Sequence, residues 1–226
     1  MHQKPPKGGF CYTHVMIKDL AKTILCYGDS NTWGNVPRSD ERYPRSVRWP
    51  GALQNLLGDD YEVVSEGLCG RTFAAEDLQK PHRTGITHLR AILESADPIE
   101  YVIVMLGTND VKTTYNLSAE IIALHLEETI KVIQNSDADL ENIPKKLIVC
   151  PPAVIVPETN DLDERMINGI ELFKQLPDMY KEVAQRYGCE FVNAANHISS
   201  SKVDGYHLDA AAHVKLAEVI KKEILK

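Results

Sequence analysis

The sequence predicts a three-layer α/β/α fold around a five-stranded parallel sheet, in the flavodoxin-like order 2-1-3-4-5. Three observations predict it. Short runs rich in Val and Ile alternate with longer stretches of helical periodicity. Those runs are continuously apolar more than alternating, as strands covered on both faces are. The chain has 226 residues, 43% apolar and 25% charged, which suits one globular domain. Right-handed crossovers leave few topologies for such a pattern.

In chain order, the expected strands are Thr23–Tyr27, Tyr61–Ser65, Tyr101–Leu106, Lys146–Cys150 and Glu190–Asn193. Trp49–Leu57 reads as a helix, with Pro50 in its first turn and Gly58 as its stop. Thr84–Ala96 repeats Ile86, Leu89, Ile92 and Leu93 at helical spacing. Ser118 is placed to cap a helix running through Gln134. Met166–Tyr187 is helical in pattern but holds Pro177, which predicts a kink or two helices. Asp209 is placed to cap a last helix toward Leu225. Residues 1–21, with Pro5, Pro6, Gly8 and Gly9, read as a flexible arm before a single domain over 22–226.

Composition narrows the function classes. The formal net charge is -7, with both signs interspersed and no basic stripe, so no nucleic-acid partner is expected. No apolar run approaches the roughly 18 residues that span a bilayer, so no membrane partner is expected either. The five cysteines are widely spaced with no C-x-x-C pair, which argues against a zinc cluster or disulfide framework and for a cytoplasmic setting. G-x-G-x-x-G, Walker A and G-x-S-x-G patterns are absent.

In a parallel sheet, ligands bind beyond the carboxyl ends of the strands, so the loops after each strand carry the chemistry. After the first strand comes Gly28-Asp29-Ser30-Asn31-Thr32-Trp33-Gly34. Ser30 there is either a helix N-cap or a nucleophile beside a helix N-terminus. After the second strand comes Glu66-Gly67-Leu68-Cys69-Gly70-Arg71-Thr72, where Gly70 lets a backbone N–H approach a ligand. Cys69 reads as a small buried residue. After the third comes Gly107-Thr108-Asn109-Asp110; Asn109 is a neutral side-chain donor or an Asx-turn residue. After the fifth comes Asp204-Gly205-Tyr206-His207-Leu208-Asp209. An acid three residues before His207 can fold back and fix the ring's tautomer. His197 is the competitor in that region but has no such acid. Together these loops supply a nucleophile, a base with its orienting acid, and oxyanion donors, the parts of acyl transfer.

GDSNTWG, EGLCGRT, MLGTND and DGYHLDAAAH resemble the four sequence blocks of the SGNH hydrolases, also called GDSL lipases/esterases. They occur in the family's order between residues 28 and 213 and look closest to the bacterial arylesterase and acyltransferase subgroup. The resemblance implies Ser30 as nucleophile, completed by Asp204 and His207. It implies an oxyanion hole from the Ser30 and Gly70 N–H groups and the Asn109 side chain, with Asp29 supporting its loop. Asn31 stands where the family name has leucine, and Asn193 where related proteins often carry Asp; neither is expected to affect catalysis.

The expected activity is hydrolysis of small acetyl or aryl esters through an acyl-serine intermediate, with some transfer to alcohols. No metal or organic cofactor is expected. Trp33 and Tyr115 are the expected substrate contacts. A carbohydrate deacetylase is the alternative, with Trp33, Tyr43, Trp49 and Tyr115 able to form an aromatic rim. A non-catalytic flavodoxin-like binding module is a third reading. The long loops after Gly34 and around Pro151–Asn160, with Val154, Ile155 and Val156 in a row, raise the expectation of a homo-oligomer; packing under the protein's own helices is the alternative.

Overall fold

The computed structural model describes residues 21–136 and 142–226. The arm expected over residues 1–21 lies almost wholly outside the described residues. Five strands form one sheet: β1 (Lys22–Gly28), β2 (Tyr61–Gly67), β3 (Ile99–Met105), β4 (Lys145–Cys150) and β5 (Glu190–Asn193). Their order is β2-β1-β3-β4-β5, every pair is parallel, and the order reverses at β1. The expected topology is the observed one. Strand boundaries shift by at most two residues, because pairing extends β1 and β2 to Gly28 and Gly67, which face each other in register.

Among the described residues, seven α-helices complete the layers: α1 (Ser30–Trp33), α2 (Trp49–Leu57), α3 (Gly85–Ala96), α4 (Ala119–Gln134), α5 (Ile167–Leu172), α6 (Leu176–Arg186) and α7 (Ala210–Ile224). Side chains alternate across the sheet. Leu25, Tyr27, Val102, Val104 and Ile148 face a core with Leu89, Leu126, Ile130 and Tyr180. Ile24, Cys26, Ile103, Leu147 and Val149 face the other core, with Trp49, Leu53, Leu216 and Ile220. Both faces are therefore covered, and the uniformly apolar strand sequences follow.

The Met166–Tyr187 stretch divides into α5 and α6, and Pro177 falls in the first turn of α6, where its missing N–H costs nothing. Ser118 and Asp209 accept from the N–H groups of Ile121 and Ala212, as their sequence positions predict. Among the described residues, no helix is long and apolar enough to cross a membrane, and no group of His, Cys, Asp and Glu could hold a metal ion.

Candidate active site

The loops that leave β1, β2, β3 and β5 meet at the carboxyl edge of the sheet. β1 ends at Gly28, and no larger residue fits there: a Cβ would lie 2.0 Å from the Thr32 Oγ1 and 2.7 Å from the Met105 carbonyl oxygen. The chain then turns into α1. Asp29 is the capping residue; its Oδ1 accepts the Asn31 N–H at 2.9 Å. Ser30 is thus the first helical residue, not the cap, and its side chain is free for other chemistry. Gly67 allows α1 to sit directly against β2, since a Cβ there would lie 2.2 Å from the Trp33 nitrogen.

Ser30, His207 and Asp204 form one hydrogen-bonded chain. The Ser30 Oγ lies 3.0 Å from His207 Nε2, and His207 Nδ1 lies 2.7 Å from Asp204 Oδ2. With the acid on Nδ1, that nitrogen carries the proton and Nε2 is the acceptor facing the hydroxyl. Asp204 is fully satisfied. Its Oδ1 accepts the N–H groups of Tyr206 at 3.2 Å and His207 at 3.0 Å. Its Oδ2 takes the His207 ring and the Arg38 backbone N–H, the latter at 3.0 Å. Burial pushes this carboxyl up, but the His207 hydrogen bond and charge and the two N–H groups outweigh it and hold it below its ordinary value. An ionised acid is the state that orients the ring.

The loop carrying Asp204 and His207 is braced on several sides. The Ser201 N–H donates to the His207 carbonyl at 2.7 Å, and the Gly205 N–H to the Ser201 carbonyl at 2.8 Å. The segment after β4 runs alongside, with the Ile155 N–H donating to Gly205 at 2.9 Å. Gly205 has φ 88°, and a Cβ there would lie 2.1 Å from the Ile155 carbonyl oxygen. Val154 is buried and packs toward Gly169, whereas Val156 is exposed. The three apolar residues therefore do not form one outward patch, which favours internal packing for the first of them.

Asn109 sits beyond β3 with its amide nitrogen toward two acceptors. Nδ2 donates to the Arg71 carbonyl at 3.0 Å and stands 3.5 Å from Asp29 Oδ2. One N–H is anchored; the other makes only a long contact and is available to an incoming oxygen. Gly70 precedes Arg71 and adopts φ 82°, a conformation that favours glycine.

Sequence reasoning missed the groups that hold this loop. The buried Arg71 guanidinium donates to the Gly28 carbonyl at 2.9 Å and to the Glu66 carbonyl, and lies 4.2 Å from the Tyr27 ring centre. Asp110, wholly buried, accepts the Phe73 N–H at 3.0 Å, and burial pushes its carboxyl up to about 7. The sequence signals for them were the adjacency of Arg71 to Gly70 and of Asp110 to Asn109, within the EGLCGRT and MLGTND blocks.

The other candidates fall differently. His197 lines a separate groove with Pro177, Asn193 and Lys215. Cys69 is half-buried and its thiol is raised, chiefly by burial, which does not suit a nucleophile. Trp33 lies at the end of α1, its ring covered by the Arg42 guanidinium 4.7 Å away. Tyr115 lies in the turn after Asp110. Trp49 is fully buried in the core and cannot contribute to an aromatic rim. A recess of about 330 Å³ opens at His207, lined by Asn35, Arg38, Ser39, Asp40 and Tyr206.

The arrangement brings a hydroxyl, an imidazole, a carboxylate and a half-anchored side-chain amide to one sheet edge. A family model described as "GDSL-like Lipase/Acylhydrolase family" matches residues 26–215. The chain belongs to this family. By class it is a carboxylic ester hydrolase. Among solved structures it is similar to a carbohydrate acetylesterase from Sinorhizobium meliloti, at 32% identity and TM-score 0.84, covering 90% of this chain and 98% of that one. It is equally similar to the aryl esterase of M. smegmatis, at 34% identity and TM-score 0.84, covering 90% and 100%. Among curated proteins it is 24% identical to an acetylxylan esterase from Xylanibacter ruminicola over 223 residues, 92% of this chain. The chain spans 44% of that relative's length.

Proposed function

We propose that this GDSL-family hydrolase is a serine esterase of short-chain acyl esters, acetyl and aryl acetyl esters foremost, acting through an acyl-Ser30 intermediate. The observation that carries the reading is the unbroken Ser30–His207–Asp204 chain, at 3.0 and 2.7 Å, beside the half-anchored Asn109 amide. Ser30 Oγ attacks the ester carbonyl carbon while His207 Nε2 takes its proton. The carbonyl electron pair moves to oxygen, held by the Ser30 and Gly70 N–H groups and Asn109 Nδ2. The carbon–oxygen ester bond then breaks, and the alcohol leaves with the proton from His207. Water, or a second alcohol, repeats the sequence and frees Ser30. In this reading Trp33, at the end of α1, and Tyr115, in the turn after Asp110, are the substrate contacts.

The names of the similar proteins support acetyl and aryl esters as substrates. A second reading, deacetylation of a carbohydrate, is favoured by the polar recess at His207, whose Asn35, Arg38, Ser39 and Asp40 suit hydroxyl groups more than an acyl chain. A p-nitrophenyl ester series from acetate to palmitate, run with and without a competing alcohol and beside acetylated xylo-oligosaccharides, tests all of this. Rates should be highest with acetate; rates rising toward palmitate would overturn the short-chain assignment. Faster turnover of the acetylated sugars would select the second reading.

The described cysteines Cys26, Cys69, Cys150 and Cys189 are free thiols, which supports a reducing, cytoplasmic setting. Self-association near the loops after Gly34 and Pro151 is part of the proposal, supported by the 52% exposure of Val156. Light scattering at micromolar concentration tests it, and a fully active monomer would remove it.

A further inference from the structure

We infer that Asn31 is the positioning residue that sets His207 against Ser30, an inference that rests on the serine-esterase reading above. The Asn31 side chain makes two hydrogen bonds, both to the backbone beside His207. Its Nδ2 donates to the Tyr206 carbonyl at 3.1 Å, and its Oδ1 accepts the Leu208 N–H at 2.9 Å. The side chain is buried with the residue 1% exposed, so neither bond is shared with bulk water.

The pattern has a structural meaning. In a parallel ladder, one residue donates its N–H to the carbonyl before its partner and accepts the N–H after it. The Asn31 amide reproduces both bonds around His207, as though a detached peptide unit had extended the sheet by one bridge. Asn31 is the covalent neighbour of Ser30, and its own N–H is fixed by Asp29. The nucleophile and the base are thus joined through one rigid amide, independently of the 3.0 Å contact between them.

The sequence that names the family places leucine here, and leucine has neither the donor nor the acceptor. In this chain the two backbone groups beside His207 have an amide as partner, and the ring's place depends on it. Displacing a reacting group by about 1 Å typically costs on the order of 100-fold in rate, while binding of a small ester elsewhere in the site is little changed.

The experiment compares wild type with Asn31→Leu and Asn31→Asp, using p-nitrophenyl acetate kinetics, thermal melting, and the rate of Ser30 modification by a fluorophosphonate. Asn31→Asp is isosteric: it keeps the acceptor for Leu208 and turns an oxygen toward the Tyr206 carbonyl. Both variants should lose about 10- to 100-fold in kcat with KM within about threefold, and should be phosphonylated more slowly by a similar factor. A folded variant of either kind that keeps kcat and the labelling rate within about threefold of wild type overturns the inference, whatever its melting temperature. So does a raised KM at unchanged kcat, which would make Asn31 a substrate contact. If Asn31→Leu does not fold, the isosteric variant decides alone. If wild type hydrolyses the ester but takes up no phosphonate on Ser30, the serine-esterase reading itself fails, and that outcome is distinct from the others.

Discussion

Arg38 reaches Asp204 through its backbone: its N–H donates to Asp204 Oδ2 at 3.0 Å, and the residue adopts φ 55° in doing so. A non-glycine residue in the left-handed region is uncommon and is held there by its surroundings. Here the side chain is tied to Asp161 by two bonds of 2.6 Å, and the strained backbone presents its donor to Asp204. Arg38→Gly keeps the N–H and relieves the strain, so its kcat should stay within about threefold of wild type. Arg38→Pro removes the N–H and fixes φ near -65°, and should lower kcat by roughly tenfold or more. Steady-state kinetics of the pair checks this; equal behaviour of the two variants would remove Arg38 from the support of Asp204.

Ser30→Ala should abolish ester hydrolysis while leaving the fold intact, because the hydroxyl makes no contact required by the α1 turn, whose cap is Asp29. Loss of a nucleophile acting in a triad costs several orders of magnitude in kcat. Circular dichroism together with kinetics is the measurement. A folded mutant retaining more than about a tenth of wild-type kcat would rule out the serine mechanism.

Asn109→Ala should lower kcat by about 10²–10³-fold with little change in KM, as expected when one oxyanion donor is lost. The same substitution also releases the Arg71 carbonyl, which Asn109 Nδ2 holds at 3.0 Å. Asn109→Asp leaves the size unchanged but replaces the donor with an acceptor, and should fall at least as far. A KM effect at constant kcat in either variant would place Asn109 in substrate binding instead.

Stability should fall on acidification through His213, which lies outside the Ser30–His207–Asp204 hydrogen-bonded chain. It is fully buried in α7, and its Nδ1 accepts the Trp49 N–H at 3.3 Å. Burial, opposed by Asp209, brings its pKa down from the ordinary 6.5 to about 4. Above about pH 6.5 the ring is neutral in both folded and unfolded chains and contributes no pH dependence. Between about 6.5 and 4 the unfolded chain binds a proton that the folded chain does not, so stability is lost as pH falls. The loss at pH 4.5 is roughly 2–3 kcal/mol from this group. His213→Asn, which keeps an acceptor for Trp49 but does not titrate, should show a smaller drop between pH 7.5 and 4.5 in denaturant midpoints. An unchanged drop would assign the acid sensitivity elsewhere.

The sheet order and the helices followed from periodicity, because strands covered on both faces and helices covered on one leave their burial written in the sequence. Ser30, Asn109, Asp204 and His207 were legible for a related reason. Ser30 and Asn109 lie just after β1 and β3, Asp204 and His207 lie in the longer connection between β5 and α7, and a parallel sheet delivers all such loops to one edge. Whether Ser30 caps the helix or stands inside it was open at the sequence level, since Asp and Ser are equally good caps and only the 2.9 Å bond from the Asn31 N–H to Asp29 chooses between them.

What the sequence by itself determined was thus the family, the sheet and the identity of the chemical groups, all of which depend on local pattern and on residue type. Only the tertiary structure decided how those groups are held. Asn31 and Leu208 are 177 residues apart, Arg38 and Asp204 are 166 apart, and Arg71 bonds to Gly28 across 43. A hydrogen bond between such residues leaves no periodicity in either segment, because it depends on the direction and distance of two loops that come together only after the sheet has formed.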